Sequence, residues 1–389
     1  MRDSLQYSAV SSGHDWQAVE ADGRVRLLPA ACIALRFDES GCSTCRSACP
    51  VECIDIGAGV FRIGNQCLGC GRCAAACPTG ALVVKGFALP DALPAVTPLR
   101  IECQKIDRHV AGTALRVPCL GGLAPADWLE LVENAGTQPV LVIDRGWCRQ
   151  CNAGAKCVER HPAAAALETA AQWLEVAGVP ATYLPRLSRE PLPASRMPRH
   201  IPDAAPTAPA RRGFLLRLGN EARRAVGIDD AQKLPQPHAL RRTDLMPLPA
   251  RSRLLTLLLR VATRAGHSVP ATPFHVVEIE PECANHTVCA GVCPTAALRR
   301  YEEPERTGIE FDALRCIGCG RCVTACPEHA LRLRRADTPP LSEAPQRLTS
   351  HALRICRECL RVFATSSLSA LCPSCRRNHA MGASLFKGS

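Results

Sequence analysis

Short stretches of alternating hydrophobic and polar residues surround two cysteine-rich segments of the chain. Each segment predicts a strand, a cysteine run that opens a helix, the dipeptide Cys-Pro and a second apolar strand. The predicted strands are at 60–63 and 81–84 in the first segment, and at 308–311 and 330–333 in the second. The shared plan indicates an internal duplication.

Between these segments, apolar strands alternate with longer amphipathic stretches. Helices are predicted near 126–134 and 163–178, and strands at 100–103, 115–117, 140–143 and 182–184. This order predicts a small α/β domain with a parallel sheet.

The chain has 389 residues, which predicts several domains, and 25 of them are cysteines. The N-terminal residues do not read as a secretory signal, so we expect a cytoplasmic protein with metal-bound cysteines and not a disulfide framework. No apolar run approaches the roughly 18 residues that cross a bilayer, so any membrane contact is expected to be peripheral.

The formal charge of +11 is concentrated between Arg186 and His275, where there are 16 Lys and Arg but 6 Asp and Glu. This proline-rich region predicts a linker with two basic amphipathic helices, at 211–226 and 251–265. For the second helix, a solvated face on a docked helix competes with a surface that binds a partner or a membrane. Because aromatic residues are few there, we expect no binding of nucleic acid.

Two complete cysteine runs have the spacing of four-iron cluster sites. They are Cys67-x2-Cys70-x2-Cys73-x3-Cys77-Pro78 and Cys316-x2-Cys319-x2-Cys322-x3-Cys326-Pro327, and a degenerate copy precedes each. A cubane takes three thiolates from such a loop and the fourth from elsewhere. Residues 35–88 and 275–336 resemble two-cluster bacterial ferredoxins, in which the cysteine before proline binds the other cluster.

The resemblance implies one complete [4Fe–4S] site in each module. Its ligands would be Cys67, Cys70, Cys73 and Cys49 in the first module, and Cys316, Cys319, Cys322 and Cys293 in the second. The companion sites keep three thiolates each, which are Cys42, Cys45 and Cys77 in the first module and Cys283, Cys289 and Cys326 in the second. We therefore expect two clusters, and up to four if both companion sites are occupied.

The fourth position of each companion site is not a cysteine. It is Glu39 in the first module and His286 in the second. A [3Fe–4S] cluster, a cubane completed by carboxylate or imidazole, and an unused site kept for folding all stay open, although imidazole is a known cluster ligand and favours occupancy at His286. Cys53 is either a thiol beside a cluster, as in some seven-iron ferredoxins, or a small buried apolar residue.

The middle segment contains Ile101-Glu102-Cys103 and Val117-Pro118-Cys119-Leu120-Gly121, and then a strand at 140–144 that leads to Cys148. These features resemble the iron–sulphur delta subunit of methyl-viologen-reducing hydrogenases, a domain taken to carry a [2Fe–2S] cluster. The chain departs from the family in having Cys103 alone where the family has paired cysteines, and in adding Cys157 to the later pair. Because these loops lie at the carboxyl ends of predicted strands, where a parallel sheet gathers its site, we expect a metal or redox site with the ligands Cys103, Cys119, Cys148 and Cys151. Reduced cysteines on a decayed domain are the alternative.

The C-terminal pattern Cys356-x2-Cys359-x12-Cys372-Pro373-x-Cys375 is typical of two knuckles that close one tetrahedral site. Structural zinc fits, because four thiolates and a d10 ion can fold a short segment that has little core of its own. Rubredoxin-like iron is the alternative, and only iron would carry electrons.

The predicted fold class is modular α+β, with two bacterial-type ferredoxin domains, one small α/β parallel-sheet domain and a C-terminal zinc ribbon. The predicted boundaries are 1–34 for an N-terminal segment, 35–88 and 273–336 for the ferredoxin domains, 96–186 for the α/β domain, 187–272 for the linker and 350–379 for the ribbon.

We expect the protein to pass single electrons between a dehydrogenase or hydrogenase-like enzyme and another carrier protein. The sequence has no glycine-rich dinucleotide fingerprint and no phosphate loop, so substrate chemistry of its own is not expected. The alternative is an accessory or maturation factor for a molybdenum formate dehydrogenase or a similar enzyme, because duplicated ferredoxins joined to a delta-like domain resemble proteins of that setting.

Overall fold

The chain forms two separate compact units of unequal length, which divide between Val269 and Pro270. The computed structural model describes residues 19–21, 24–37, 41–57, 60–90, 93–94, 96–154, 160–196, 245–340, 344–365 and 369–385. Within these ranges, no helix is long and apolar enough to span a membrane.

The first unit begins with a module of two small antiparallel sheets. Strands β1 (Val19–Ala21), β2 (Val25–Leu27) and β5 (Leu82–Val84) form one sheet, and β3 (Ile54–Gly57) pairs with β4 (Val60–Ile63). The connecting helices are α1 (Ile33–Arg36), α2 (Thr44–Ala48) and α3 (Arg72–Ala76). Residues 24–34, which the sequence analysis assigns to a separate segment, therefore contribute a strand to this module.

Glycine lets each complete cysteine run turn sharply into its helix. Gly71 precedes α3 with a φ of 76°, and Gly320 holds the matching position in the second unit with a φ of 72°. A β-carbon is disfavoured in this left-handed region, so the loop can curl back on itself only with glycine there at no steric cost.

A four-stranded parallel sheet follows in the first unit. In chain order its strands are β6 (Leu99–Cys103), β7 (Leu115–Val117), β8 (Val140–Asp144) and β9 (Arg186–Arg189), and they lie in the order β7-β6-β8-β9. The helices are α4 (Arg108–Ala111), α5 (Pro125–Ala135) and α6 (Ala164–Val176). The mixed α+β class and the parallel sheet are confirmed.

The fourth strand of this sheet was placed wrongly by the sequence pattern. Residues 182–184 were predicted to be extended, but Ala181–Tyr183 forms a 3-10 turn after Pro180, and the strand runs from Arg186 to Arg189. This strand lies at the sheet edge, and its residues are mostly exposed and polar. It has no apolar alternation for a sequence pattern to detect.

The second basic stretch of the predicted linker forms the helix α7 (Pro249–Ala265). Its apolar face, which includes Leu257, Leu258 and Val261, joins the core formed by the parallel sheet, α5 and α6. Burial of this face anchors the helix on the α/β domain. The first basic stretch, 211–226, lies outside the described residues.

The second unit repeats the plan of the first module and extends it. Strand β10 (His275–Ile279) pairs with β13 (Leu331–Arg335), β11 (Leu298–Glu302) pairs with β12 (Arg306–Phe311), and the helices are α8 (Val288–Gly291) and α9 (Arg321–Thr324). Strand β12 also pairs with β14 (Gln346–Arg347) and β15 (His351–Ile355), and β15 forms a hairpin with β16 (Val362–Thr365) before the helix α10 (Pro373–Leu385).

Candidate iron–sulphur and metal sites

The complete site of the first module is an apolar cavity lined by cysteines. The run supplies Cys67, Cys70 and Cys73 and the earlier half-motif supplies Cys49, so the four residues predicted to share a cluster line one cavity. Cys53 lines it too, with its sulphur 3.5 Å from that of Cys49. Soft thiolates in a dry, apolar setting are the donor set that iron–sulphur clusters use.

The companion site of the first module is a second apolar cavity. It is lined by the three thiols that the resemblance to two-cluster ferredoxins assigns to this site, Cys42, Cys45 and Cys77. A fourth cysteine, Cys32, lines it as well, and its place at this site was not predicted from the sequence. Glu39 lies outside the described residues.

Without iron, these thiols resist loss of their protons. Burial raises the pKa of the Cys73 thiol to about 12 and that of Cys45 to about 11, and neighbouring thiols add to both shifts. Thiolate is the form that binds iron, so the cation must stabilise the charge that the apolar walls oppose. Cluster binding is therefore tied to the folding of these loops.

Backbone amides donate to the sulphur of three cysteines that precede proline. The N–H groups are those of Cys53 toward Cys49 at 3.4 Å, Ala81 toward Cys77 at 3.3 Å, and Leu298 toward Cys293 at 3.4 Å. Such bonds favour electron density on the sulphur, and they are one means by which a protein sets a cluster's potential.

The second unit brings together the same sets. Burial raises the pKa of the Cys322 thiol to about 12, and the nearby thiols Cys293, Cys319 and Cys316 raise it further. Burial likewise raises the pKa of Cys289 to about 11, with contributions from Cys283 and Cys326. Both sets are the ones that the resemblance to two-cluster bacterial ferredoxins implies.

His286 lies beside the companion site of the second unit, on its exposed edge. Its Nε2 atom is 2.5 Å from a carboxylate oxygen of Glu328, and the other oxygen of Glu328 lies 3.9 Å from the Cys326 sulphur. The imidazole is thus held by a carboxylate next to the thiols. Whether it binds iron stays a prediction.

The cysteines of the middle domain meet at the carboxyl ends of the parallel strands. Cys103 ends β6, Cys119 follows β7, and the loop after β8 carries Cys148 and Cys151. All four line one cavity. Lys105 donates to the Cys151 sulphur at 3.6 Å and brings positive charge to the site. Cys157 lies outside the described residues.

His161 also contacts this site, and this contact was not predicted from the sequence. Its Nε2 atom lies 3.6 Å from the Cys148 sulphur, and its Nδ1 accepts the Ala163 N–H at 3.2 Å. Burial lowers the pKa of His161, so the ring is neutral at pH 7. With Nδ1 accepting, the proton sits on Nε2, so His161 as placed donates to the Cys148 sulphur. The ligand atoms of His161, Cys148 and Asp144 also lie within 4.8 Å of one another, so this group could hold a metal ion.

Ion pairs connect the strands that carry these loops. Glu102 of β6 is fully buried and bonds to Arg145, which follows β8. Glu190, which follows β9, accepts two bonds from Arg100 of β6, at 3.0 and 2.6 Å, and the bonding lowers its pKa. The network connects β6 with the residues that follow β8 and β9.

The three cavities of the first unit are neighbours. After burial and the thiols of its own loop, the pKa of Cys73 is raised by Cys45 of the companion site. Burial raises the pKa of Cys119, and Cys103 and then Cys70 add to the shift. Each of these effects requires the two thiols to lie close together, so the complete site adjoins both the companion site and the middle-domain site.

A tight contact joins the ferredoxin module to the middle domain. Gly122 packs so closely on the Cys70 carbonyl and the Phe87 ring that a β-carbon at Gly122 would overlap both. Arg72 of α3 donates to the Ala153 carbonyl at 3.0 Å. The two sites are therefore held against each other by backbone contacts.

The four C-terminal cysteines form a compact group that could hold a metal ion. The sulphur atoms of Cys356, Cys359, Cys372 and Cys375 lie within 4.8 Å of one another. The N–H groups of Cys359 and Cys372 lower the pKa of Cys356 to about 6, which leaves a thiolate at neutral pH. The first pair lies between β15 and β16 and the second opens α10, so the group could hold a tetrahedral metal ion.

Comparisons with known proteins agree with this geometry. Sequence models of the 4Fe-4S binding domain match residues 63–83 and 309–331. Each match includes the whole of one complete cysteine run.

Three relatives match short stretches of the chain. NADH-quinone oxidoreductase subunit I of Pelobacter propionicus is 38% identical over 69 residues, which are 15% of this chain and 36% of that protein. Thiosulfate reductase electron transfer subunit PhsB of Salmonella typhi is 40% identical over 58 residues, covering 15% and 29%. NADH-quinone oxidoreductase subunit I 2 of Geobacter metallireducens is 43% identical over 49 residues, covering 12% and 37%.

The chain thus spans about a third of the length of the curated relatives it matches. The chain contains two ferredoxin-type 4Fe-4S binding domains, distantly similar to subunits of redox enzymes, and a C-terminal four-cysteine group that could hold a metal.

Proposed function

We propose that the chain transfers single electrons between a redox enzyme of the dehydrogenase or hydrogenase type and another carrier protein. The observation that carries the proposal is the row of three adjoining sulphur-lined sites in the first unit. Redox centres placed side by side form a path along which an electron can move.

The side chains of this unit suit reversible one-electron chemistry. An iron–sulphur cluster, when bound, accepts and releases one electron at a potential that its surroundings set. The apolar walls exclude water, and the amide donors at Cys49 and Cys77 stabilise negative charge on sulphur. These residues thereby adjust the potential while the protein itself makes and breaks no substrate bond.

The named roles of the relatives support the same proposal. One is a subunit of an NADH-quinone oxidoreductase and another is an electron transfer subunit of a thiosulfate reductase. We therefore propose that the partners of this chain are a redox enzyme and an electron carrier. We also propose a cytoplasmic location, because a reducing compartment keeps so many thiols available for metal.

The middle-domain site and the ribbon have different proposed roles. We propose a redox cluster, of the [2Fe–2S] type, at Cys103, Cys119, Cys148 and Cys151, since these four thiols line one cavity beside the complete cubane site. We propose structural zinc at the C-terminal group, where metal analysis should find about one zinc per chain. Iron in place of zinc at that group would make it a further redox centre.

The test of electron transfer uses the holoprotein purified without oxygen. Reduced methyl viologen serves as the donor and oxidised cytochrome c as the acceptor, and stopped-flow absorbance follows the clusters. We expect rapid reduction followed by rapid reoxidation, with catalytic amounts of holoprotein speeding the overall reaction. Clusters that reduce but are not reoxidised would contradict the proposal and favour a maturation factor, which has no need to cycle.

A further inference from the structure

A fourth cysteine is present at the companion site of the first module. Cys32 is 8% exposed and lines the cavity that also holds Cys42, Cys45 and Cys77. We propose that Cys32 is the fourth ligand of a second [4Fe–4S] cluster in this module, bound together with those three thiolates. The inference deepens the proposed function, because it adds a complete redox centre to the row of sites.

The fold of the module itself holds Cys32 in place. Strand β2 pairs with β5 in the same sheet, which brings the chain before Cys32 beside the turn that carries Cys77. The hydroxyl group of Thr79, a residue that is 1% exposed, donates to the Ala31 carbonyl at 2.6 Å. Cys32 and Cys77 therefore meet through strand pairing and a buried hydrogen bond, and not through a flexible loop.

The cavity has the chemistry of a cluster site. Apart from two threonines, its lining is made of thiols and apolar side chains, the latter being Leu27, Ile33, Ile56, Phe61, Pro78, Ala81 and Leu82. Like the neighbouring cavity, which holds the complete set of ligands, it collects cysteines from two parts of the chain. Two apolar cavities of one module that each collect at least four thiols offer the same kind of donor to a cluster.

A fourth thiolate at this site favours a cubane over the other occupants that three cysteines allow. With three cysteines the site suits a three-iron cluster or needs a carboxylate, but with Cys32 it offers a thiolate to every iron of a cubane. On binding, the Cys32 thiol releases its proton to water and its sulphur forms a bond to iron, with no electron transferred. The first module then differs from the second, where His286 and Glu328 lie beside three thiols.

The test compares Cys32→Ala with the parent holoprotein, both purified without oxygen. We expect the variant to lose about one iron atom per chain and to gain, when oxidised, a three-iron EPR signal over the spectrum of the parent. Unchanged iron content and an unchanged EPR spectrum would overturn the assignment.

Ala34→Ser is the matched control, because Ala34 is 7% exposed in the same segment but has no thiol. It should keep the iron content and spectrum of the parent. An equal loss of iron in this control would mean that damage to the segment explains the effect, and the assignment would be rejected.

Cys32→Asp covers the case in which the alanine variant does not fold. A carboxylate keeps an anionic ligand, so this variant should retain its iron and shift the EPR spectrum of one cluster. An unshifted spectrum would overturn the proposal. Because these readouts are composition and spectrum, the assignment can fail while the chain still transfers electrons, and it can hold if electron transfer fails.

Discussion

At the scale of single residues, each site depends on thiols that come from two parts of the chain. A run such as Cys67–Cys73 supplies ligands from one loop, and the cysteine before proline reaches the other cavity. Buried thiols repel one another as anions, and iron must compensate for that cost. Removing one sulphur should therefore reduce both cluster content and folding stability.

Replacing Cys70 by Ser should destroy one cubane in the first module, and Cys319→Ser should do the same in the second. Both cysteines are the middle ligands of complete runs, and serine oxygen is a harder donor that suits iron–sulphur clusters poorly. Iron and sulphide analysis with thermal unfolding measures the effect. Iron content equal to that of the parent would argue against the assignment.

Replacing His286 by Cys should lower the potential of the companion cluster in the second unit, if His286 binds iron. A thiolate adds negative charge beside the iron and disfavours the reduced state. Potentiometric EPR titration measures the potential. Glu328→Gln is the matched variant, because it removes the ion pair of His286 and keeps the imidazole. Identical spectra and potentials in His286→Cys and the parent would make His286 a bystander.

Local spacing explains which ligands could be predicted from sequence. The runs are short loops whose thiols are close in the sequence, so their pattern alone indicates iron. Cys32 and His161 escape that pattern, because β-pairing places Cys32 and a loop contact places His161. A cysteine ten residues before Cys42, just after an alternating V-R-L strand, was the available signal.

At the scale of elements, α7 shows which force holds a basic helix. Arg253 pairs with Asp127 and Glu130 of α5, and Arg260 and Arg264 pair with Glu133. These three arginines are 41 to 61% exposed, so each pair contributes about 0.2–1 kcal/mol. Leu258 is 1% exposed in the core, so apolar packing contributes more.

Leu258→Ala should therefore destabilise the first unit more than the triple change of Arg253, Arg260 and Arg264 to Gln. We expect a cost of about 2–5 kcal/mol for the leucine. The arginines together should cost about 1–2 kcal/mol, and that smaller loss should vanish at high salt. Thermal unfolding without oxygen at two salt concentrations compares the two. A larger effect from the arginines would mean that charge docks the helix.

Gly122→Ala should separate the ferredoxin module from the middle domain. A β-carbon there overlaps the Cys70 carbonyl and Phe87, so the two loops must move apart. We expect unchanged iron content but slower electron exchange between the two sites, measured by freeze-quench EPR. Gly291→Ala is the control, because a β-carbon at Gly291 meets no atom within 4 Å. Equal rates in both variants would show that this contact is irrelevant to the exchange.

Burial also explains which elements the sequence could predict. Strands β6 and β8 and the helices α5 and α6 have buried apolar faces, and their positions match the prediction closely. Strand β9 has little apolar surface and joins the sheet only through backbone pairing with β8, so its position depends on the finished sheet.

At the scale of the whole molecule, the first unit is a row of adjoining sites and the second is a ferredoxin module whose sheet continues into the four-cysteine ribbon. The duplication could be predicted because it repeats a motif. The contact between the complete cubane site and the middle domain could not, because it depends on Gly122 and Arg72, which have no pattern of their own.

Rapid electron exchange within the first unit is the central claim, and freeze-quench EPR after limited reduction tests it most directly. Holoprotein is mixed with less than one equivalent of reductant, and spectra are taken from the first milliseconds to equilibrium. Because the sites adjoin, the electron should distribute among them at once, so the earliest and final spectra should have the same shape. Clusters that fill one after another, each at its own slow rate, would contradict the claim.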